Sequence, residues 1–146
     1  MNVKPDLLAT IPRTVTVRAA ALAAALVTVA AGLGVRAAAG GDAAGGDVAK
    51  YAGDALYTVL IHTLVVLLAP RVRPLTAAGV ALAFSWAVEL AQLTGVPADL
   101  ARHSTVARLV LGSTFNAPDL LWYAVGAALA WAVHRGLRSG PARARS

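Results

Sequence analysis

The chain has 146 residues, 58% of them hydrophobic and 14% charged, and a mean hydropathy of +0.68. An average soluble domain carries about 25% charged residues, so this composition excludes one and points to an integral membrane protein. No cysteine is present, which excludes disulfides, thiolate metal sites and cysteine nucleophiles. The net charge of +6 comes from thirteen Lys and Arg against seven Asp and Glu. Those basic residues sit in short segments between apolar runs, as topology signals do, with no recognition helix or aromatic platform beside them, so nucleic acid is not an expected partner.

Four apolar stretches, at 15–35, 51–69, 75–93 and 117–133, each approach the roughly 17 to 25 residues that cross hydrocarbon, where unsatisfied backbone groups force a helix. Lys4, Arg13 and Arg18 precede an Ala-rich run that reaches Ala37-Ala38-Ala39, the form of a cleavable signal peptide. The uncharged run 19–35 exceeds the roughly 7 to 15 residues of a signal core, however, and Arg36 adjoins the would-be site, so a retained first span is expected. Ala20, Ala24 and Thr28 at four-residue spacing suit close helix packing. Gly40-Gly41 and Gly45-Gly46 predict a flexible first connection, and Pro70 to Pro74 a tight turn that makes the second and third spans an antiparallel hairpin. The third connection, 95–116, is long for a structureless loop. Val106, Leu109 and Val110 follow helical spacing beside Arg108, which predicts a short interfacial or re-entrant helix there. The expected fold is all-α: one polytopic membrane domain over 1–146, four transmembrane helices, and a basic tail 134–146 lying along an anionic leaflet.

Orientation follows from the basic residues. Lys4, Arg13, Arg18, Arg71, Arg73, Arg135, Arg138, Arg143 and Arg145 fall on one side of a four-span arrangement, and only Arg36, Lys50, Arg102 and Arg108 on the other. The richer side faces inward, which predicts a cytoplasmic-membrane protein with both termini in the cytoplasm.

The acids are distributed in the opposite sense. Only Asp6 lies on the inner side, while Asp42, Asp47, Asp54, Glu89, Asp99 and Asp119 lie at or near the outer helix ends. Three helices thus place Asp54, Glu89 and Asp119 at one level. Each ionisable group in a span costs about 2.5 to 3.5 kcal/mol, so such groups face a bundle interior or a wet cavity and need partners. Helical spacing offers them: Lys50 with Asp54; Ser85, Glu89 and Gln92; Asn116, Asp119 and Tyr123. Arg102 and Arg108 from the outer loop can neutralise carboxylates or present a guanidinium fork to a phosphate or carboxylate. The candidate ligand-binding cluster is therefore Lys50, Asp54, Glu89, Gln92, Arg102, Arg108 and Asp119. The alternative is a hydrogen-bonded network that only fixes the bundle, with Asp119 capping the fourth helix after Pro118.

Other signals are weaker. His62 and Ser85 fall at similar depth and can bond across the second and third spans, without the acid or oxyanion hole of a hydrolase. His103 and His134 are expected on opposite sides, so the three His do not share a metal. Hard oxygen ligands from Asp54, Glu89 and Asp119 suit a divalent ion, but these three scattered acids form no recognisable motif, and no metal or cofactor is assigned. Trp86, Trp122, Tyr51, Tyr57 and Tyr123 read as packing and interfacial anchors.

Several blocks in order carry a family resemblance: Gly32-Leu33-Gly34-Val35-Arg36, Lys50-Tyr51-Ala52-Gly53-Asp54-Ala55-Leu56, Ser85-Trp86-Ala87-Val88-Glu89-Leu90-Ala91-Gln92-Leu93, Arg108-Leu109-Val110-Leu111-Gly112, and Phe115 through Gly126. Together they resemble the bacterial membrane proteins of domain-of-unknown-function family 2809 and, more distantly, the VanZ-like group. The resemblance runs from about Gly32 to His134 and marks Asp54, Glu89, Gln92, Arg108 and Asp119 as family-like polar positions. It implies a multi-span protein but no reaction. The association of VanZ-like proteins with teicoplanin resistance implies work at the outer surface on lipid-linked cell-envelope molecules. Membrane lipids, and a lipid-linked anionic ligand among them, are the expected partners. A structural or accessory subunit and a small proton-coupled transporter carried by Glu89 are the competing expectations, and oligomeric state is not legible.

Overall fold

A computed structural model of the chain describes residues 12–39, 43–112 and 114–140. These are helical almost throughout: α1 (Arg13–Ala38), α2 (Ala43–Leu68), α3 (Pro74–Ala91) continued by a 3-10 turn (Gln92–Thr94), two short helices α4 (Val96–His103) and α5 (Thr105–Leu111), and α6 (Ala117–Ser139). Three are long and apolar enough to cross a membrane, Arg13–Ala38, Gly46–Leu68 and Pro74–Thr94, which is the signature of a multi-pass membrane protein. The remaining long helix, α6, is not among the three, because Asp119, His134 and its Trp and Tyr residues dilute the Ala, Leu and Val around them.

Helix α2 is the hub: it packs against α1 on one side and against α3 and α6 on the other, and α3 and α6 touch each other. The helices run antiparallel in sequence order. The α2–α3 turn is closed by the Val72 N–H donating to the Ala69 carbonyl at 2.9 Å, and Pro74 starts α3, where its missing N–H costs nothing. At the same end the Arg18 guanidinium donates to the Leu67 carbonyl (3.2 Å) and that of Arg138 to the Val72 carbonyl (2.6 Å). Basic side chains thereby satisfy the carbonyls that α2 and the turn leave open.

Packing depends on small residues. Ala21, Ala25 and Thr28 are the buried face of α1, one residue on from the expected Ala20 and Ala24. An Ala- and Val-rich helix has almost no amphipathic bias to fix its rotation, so sequence spacing located the stripe but not its phase. Where α6 crosses α2, a Cβ on Gly126 would lie 2.2 Å from the Ala55 carbonyl oxygen; only glycine permits that approach.

Three boundaries differ from expectation. Helix α2 begins at Ala43 and absorbs Gly45-Gly46, which were expected to be loop, while residues 40–42 lie outside the described residues. The third connection forms two helices rather than one. Helix α6 continues to Ser139 and takes His134, Arg135 and Arg138 out of the expected tail, because long basic side chains can end a helix at a polar boundary without breaking it. Residues 141–146 lie outside the described residues.

Candidate ligand cleft

The carboxyl ends of α1 and α3, the amino ends of α2 and α6, and α5 gather at one end of the bundle. Glu89, on the buried side of α3, is 1% exposed. Its Oε1 accepts the backbone N–H of Asn116 at 2.6 Å, and its Oε2 accepts the Tyr123 hydroxyl at 3.1 Å. Asn116 is the residue that caps α6. In a capping box a carboxylate from inside the same helix takes that N–H; here a carboxylate from a neighbouring helix does so, beside the positive end of the α6 dipole.

Asp119, three residues into α6 and 4% exposed, does not cap α6. Its Oδ1 accepts from Lys50 Nζ and from the Asn116 side-chain amide. Lys50 lies inside α2 rather than in a loop and also pairs with Asp54 one turn on, at 3.4 Å. One cation thus bridges two carboxylates on different helices. Beside it, Tyr51 and Trp122 stack at 5.5 Å between ring centroids, and the Trp86 indole N–H donates to the Leu120 carbonyl at 3.0 Å. These aromatic rings hold α2, α3 and α6 in register around the charges.

Gln92 closes the site from the side. Its Nε2 donates to the Leu111 carbonyl at 2.8 Å, fixing the end of α5 to the end of α3. Gly112 follows with φ +66, and a Cβ there would lie 2.7 Å from Gln92 Nε2. The latch places Arg108 at the edge of a cleft of about 870 Å³, whose lining includes Lys50, Asp54, Glu89, Gln92, Asp119, Tyr123 and Arg36 from α1. Val29, Leu33, Leu56 and Leu60 form its apolar wall. Arg36 and Arg108 are exposed and make neither an ion pair nor a side-chain hydrogen bond among the described residues.

Six of the seven expected residues, Lys50, Asp54, Glu89, Gln92, Arg108 and Asp119, therefore border one cleft. Arg102 does not: it pairs with Asp99 one turn back on α4, with both side chains largely exposed. That i,i+3 pair was available in the sequence, and local pairing is far cheaper than reaching across a loop. The three carboxylates do not converge on a common centre. Glu89 and Asp119 each meet protein donors, and among the described residues no group of three or more His, Cys, Asp and Glu could hold a metal ion.

Two further expectations are corrected. Ser85 bonds not to His62 but to Thr58, with 3.0 Å between the hydroxyl oxygens, while His62 Nε2 meets His134 Nδ1 at 3.2 Å. The two imidazoles are edge to face and share a level, so His134 is a partner inside the bundle rather than a tail residue. Arg36, in the sequence a topology charge beside the would-be cleavage site, stands one turn beyond Gly32 and lines the cleft.

Residues 45–127 match the family described as "Protein of unknown function (DUF2809)". The chain belongs to this family. No curated protein matches the chain significantly, and no solved structure does.

Proposed function

Taking a multi-pass membrane protein of this family as the premise, we propose that the chain binds the phosphate-bearing head group of a lipid, or of a lipid-linked cell-envelope intermediate, in the cleft at the outer membrane surface. The observation that carries this reading is the pair of unpartnered guanidinium groups, Arg36 and Arg108, that line a cleft whose other charges are already engaged. A guanidinium fork matches phosphate geometry and retains its charge at any physiological pH. Lys50, held by Asp54 and Asp119, sets the floor of the site, and Glu89 fixes the α3–α6 junction beneath it. The apolar wall of Val29, Leu33, Leu56 and Leu60 suits the chain of an amphiphile. The distant VanZ-like resemblance points to the same class of bacterial envelope molecule.

The reading includes topology. Helix α6, 23 residues long, measures about 35 Å at 1.5 Å per residue, enough for the roughly 30 Å hydrocarbon core. As a fourth span it leaves both termini in the cytoplasm with nine of the thirteen basic residues, as the charge rule for the cytoplasmic membrane favours. Helices α4 and α5 lie at the outer interface, where Val106 (70% exposed) and Leu109 (59%) meet lipid.

Native mass spectrometry from nanodiscs tests the assignment on wild type, Arg108→Ala and Arg36→Ala. Wild type is expected to retain a specific phosphate-bearing lipid at fixed stoichiometry, and both variants, with unchanged helicity, to lose it. Identical bulk lipids on all three proteins refute the reading. Because the chain lacks cysteine, single cysteines at Arg71 and Arg138 report topology directly. Labelling of the two from opposite sides excludes the fourth span.

A further inference from the structure

A second polar feature runs away from the cleft along the buried seam of α2, α3 and α6. On α2, Asp54, Thr58 and His62 recur every fourth residue and so share one face. On α3, Ser85 and Glu89 do the same, and on α6, Asp119, Tyr123 and His134 stand at spacings of four and eleven, which return to one face. The structure joins them in pairs across helices: Asp54 and Asp119 through Lys50, Glu89 with Tyr123, Thr58 with Ser85, and His62 with His134. Thr58 and Ser85 have no exposed surface, and His62 is 3% exposed. Successive pairs are about one or two helical turns apart, roughly 5.4 Å each.

Polar groups at this depth are expensive, and a packing role does not require them, since the rest of the seam is built from buried alanines, Ala81, Ala127 and Ala130. Two polar atoms here, Tyr57 Oη and His62 Nδ1, are buried and lack a partner. A buried polar atom is normally satisfied by protein or by water, and a water at this depth needs two to four polar neighbours, which the hydroxyls and imidazoles of the seam provide.

We propose that this seam is a proton path through the bundle, linking the cleft to the end where α2 turns into α3. A proton from water binds one nitrogen of the His134 ring, the Nδ1···Nε2 hydrogen bond hands a proton to His62, and His62 releases one from Nδ1. Thr58 and Ser85 relay it by accepting one proton as they donate another. Glu89, with Tyr123, receives it below the cleft and returns it to water there. Every group ends with the number of protons it began with, and no redox partner is needed. The charged and titratable groups around the imidazole pair are consistent with transient occupancy. Helix α3 brings none between Pro74 and Ser85; α1 brings Arg18, bound to the Leu67 carbonyl; α2 itself brings Tyr57. Helix α6 brings Arg135, over the Trp131 ring, and Arg138, bound to the Val72 carbonyl. The α2–α3 turn brings Arg71 and Arg73, and among the described residues no carboxylate stands at that end.

The full chain reconstituted into phosphatidylcholine/phosphatidylglycerol vesicles with entrapped pyranine, under a valinomycin-clamped potassium gradient, tests this. Proton flux is expected about tenfold above protein-free vesicles, falling to near their level in the Thr58→Val/Ser85→Ala double variant and in His62→Leu. The double variant removes two hydroxyls with little change in volume, and circular dichroism confirms its helicity. His103→Ala, on the exposed part of α4, keeps wild-type flux. Wild-type flux no greater than that of empty vesicles overturns the proposal, as does a folded hydroxyl-free variant that conducts like wild type. Lipid retention in Arg108→Ala and proton flux in the hydroxyl-free variant are separate readouts, so failure of the lipid assignment and failure of the path are read separately.

Discussion

The crossing of α2 and α6 at Gly126 positions both the cleft and the seam, and its energetics can be worked from the structure. A methyl group in Gly126→Ala would stand 2.2 Å from the Ala55 carbonyl oxygen, 2.9 Å from its carbon and 3.0 Å from its Cα. Ordinary contact begins near 3.5 Å, so the helices must part by about 1 Å. The obstacle is backbone, which cannot swing aside as a side chain would. Overpacking costs about 1 to 3 kcal/mol, and a backbone clash belongs at the top of that range. Replacing Gly by Ala in a helix returns about 1 kcal/mol of propensity, leaving a net loss of about 2 kcal/mol. Gly136 on the same helix is the internal control: a Cβ there meets nothing within 4 Å, so Gly136→Ala keeps the propensity gain alone and is expected to stabilise by up to about 1 kcal/mol. Denaturing titrations in mixed micelles, followed by helical circular dichroism, should separate the two variants by about 3 kcal/mol. Equal shifts in the same direction would refute the close-approach argument.

Removing the bridging cation in Lys50→Met leaves Asp119 buried with only the Asn116 amide, and a loss of about 2 kcal/mol is expected, the usual cost of breaking a buried pair discounted because Lys50 is partly exposed. Adding Asp119→Asn should recover about half of it, and a double variant no more stable than Lys50→Met in the same titration contradicts the pairing. Tyr123→Phe removes a donor to a fully buried carboxylate and should cost about 2 kcal/mol, measured as a shift of the unfolding midpoint; a change within experimental scatter means the Glu89–Tyr123 bond contributes nothing. Arg102→Ala breaks only an exposed pair with Asp99, so stability is expected to change by less than about 0.5 kcal/mol and lipid retention not at all. A drop in lipid binding in that variant would return Arg102 to the site.

The level of the polar cluster along the bundle was legible, because helical rise converts residue number into depth. Asp54, Glu89 and Asp119 read from three apolar runs do meet at one end. Rotation and partner choice were not. Glu89 takes a backbone N–H, that of Asn116, and backbone donors leave no mark in side-chain identity. His134 was placed across the membrane from the His at 103 and outside the bundle because hydropathy falls there, yet the helix continues and carries it against His62. A threonine in an apolar run is common, so Thr58 carries no signal in the sequence; only the packing of α2 on α3 shows it against Ser85. The Asp99–Arg102 pair shows the opposite failure, in which a local rule visible in the sequence was passed over for a more distant partner.

These differences share a cause that bears on the proposed fourth span. Mean hydropathy treats a helix as uniform, whereas α6 is two-faced. Leu121, Leu129, Val133 and Leu137 are between 58% and 77% exposed, and Asp119, Tyr123, Gly126, Ala127 and Ala130 are buried. As the proposed fourth span, α6 would turn Asp119 and Tyr123 toward α2 and α3 and present Leu121, Leu129 and Val133 to lipid, although its average hydropathy is lower. In that topology the charge of Asp119 would impose no insertion cost beyond that already met by Lys50 and Asn116. The acid in α6 and the cation in α2 therefore require each other. Lys50 without Asp119 would keep only Asp54 on its own helix, and Asp119 without Lys50 would be a buried carboxylate in the first turn of α6 with only the Asn116 amide, so in the proposed topology insertion of either helix is favoured once the other is in place.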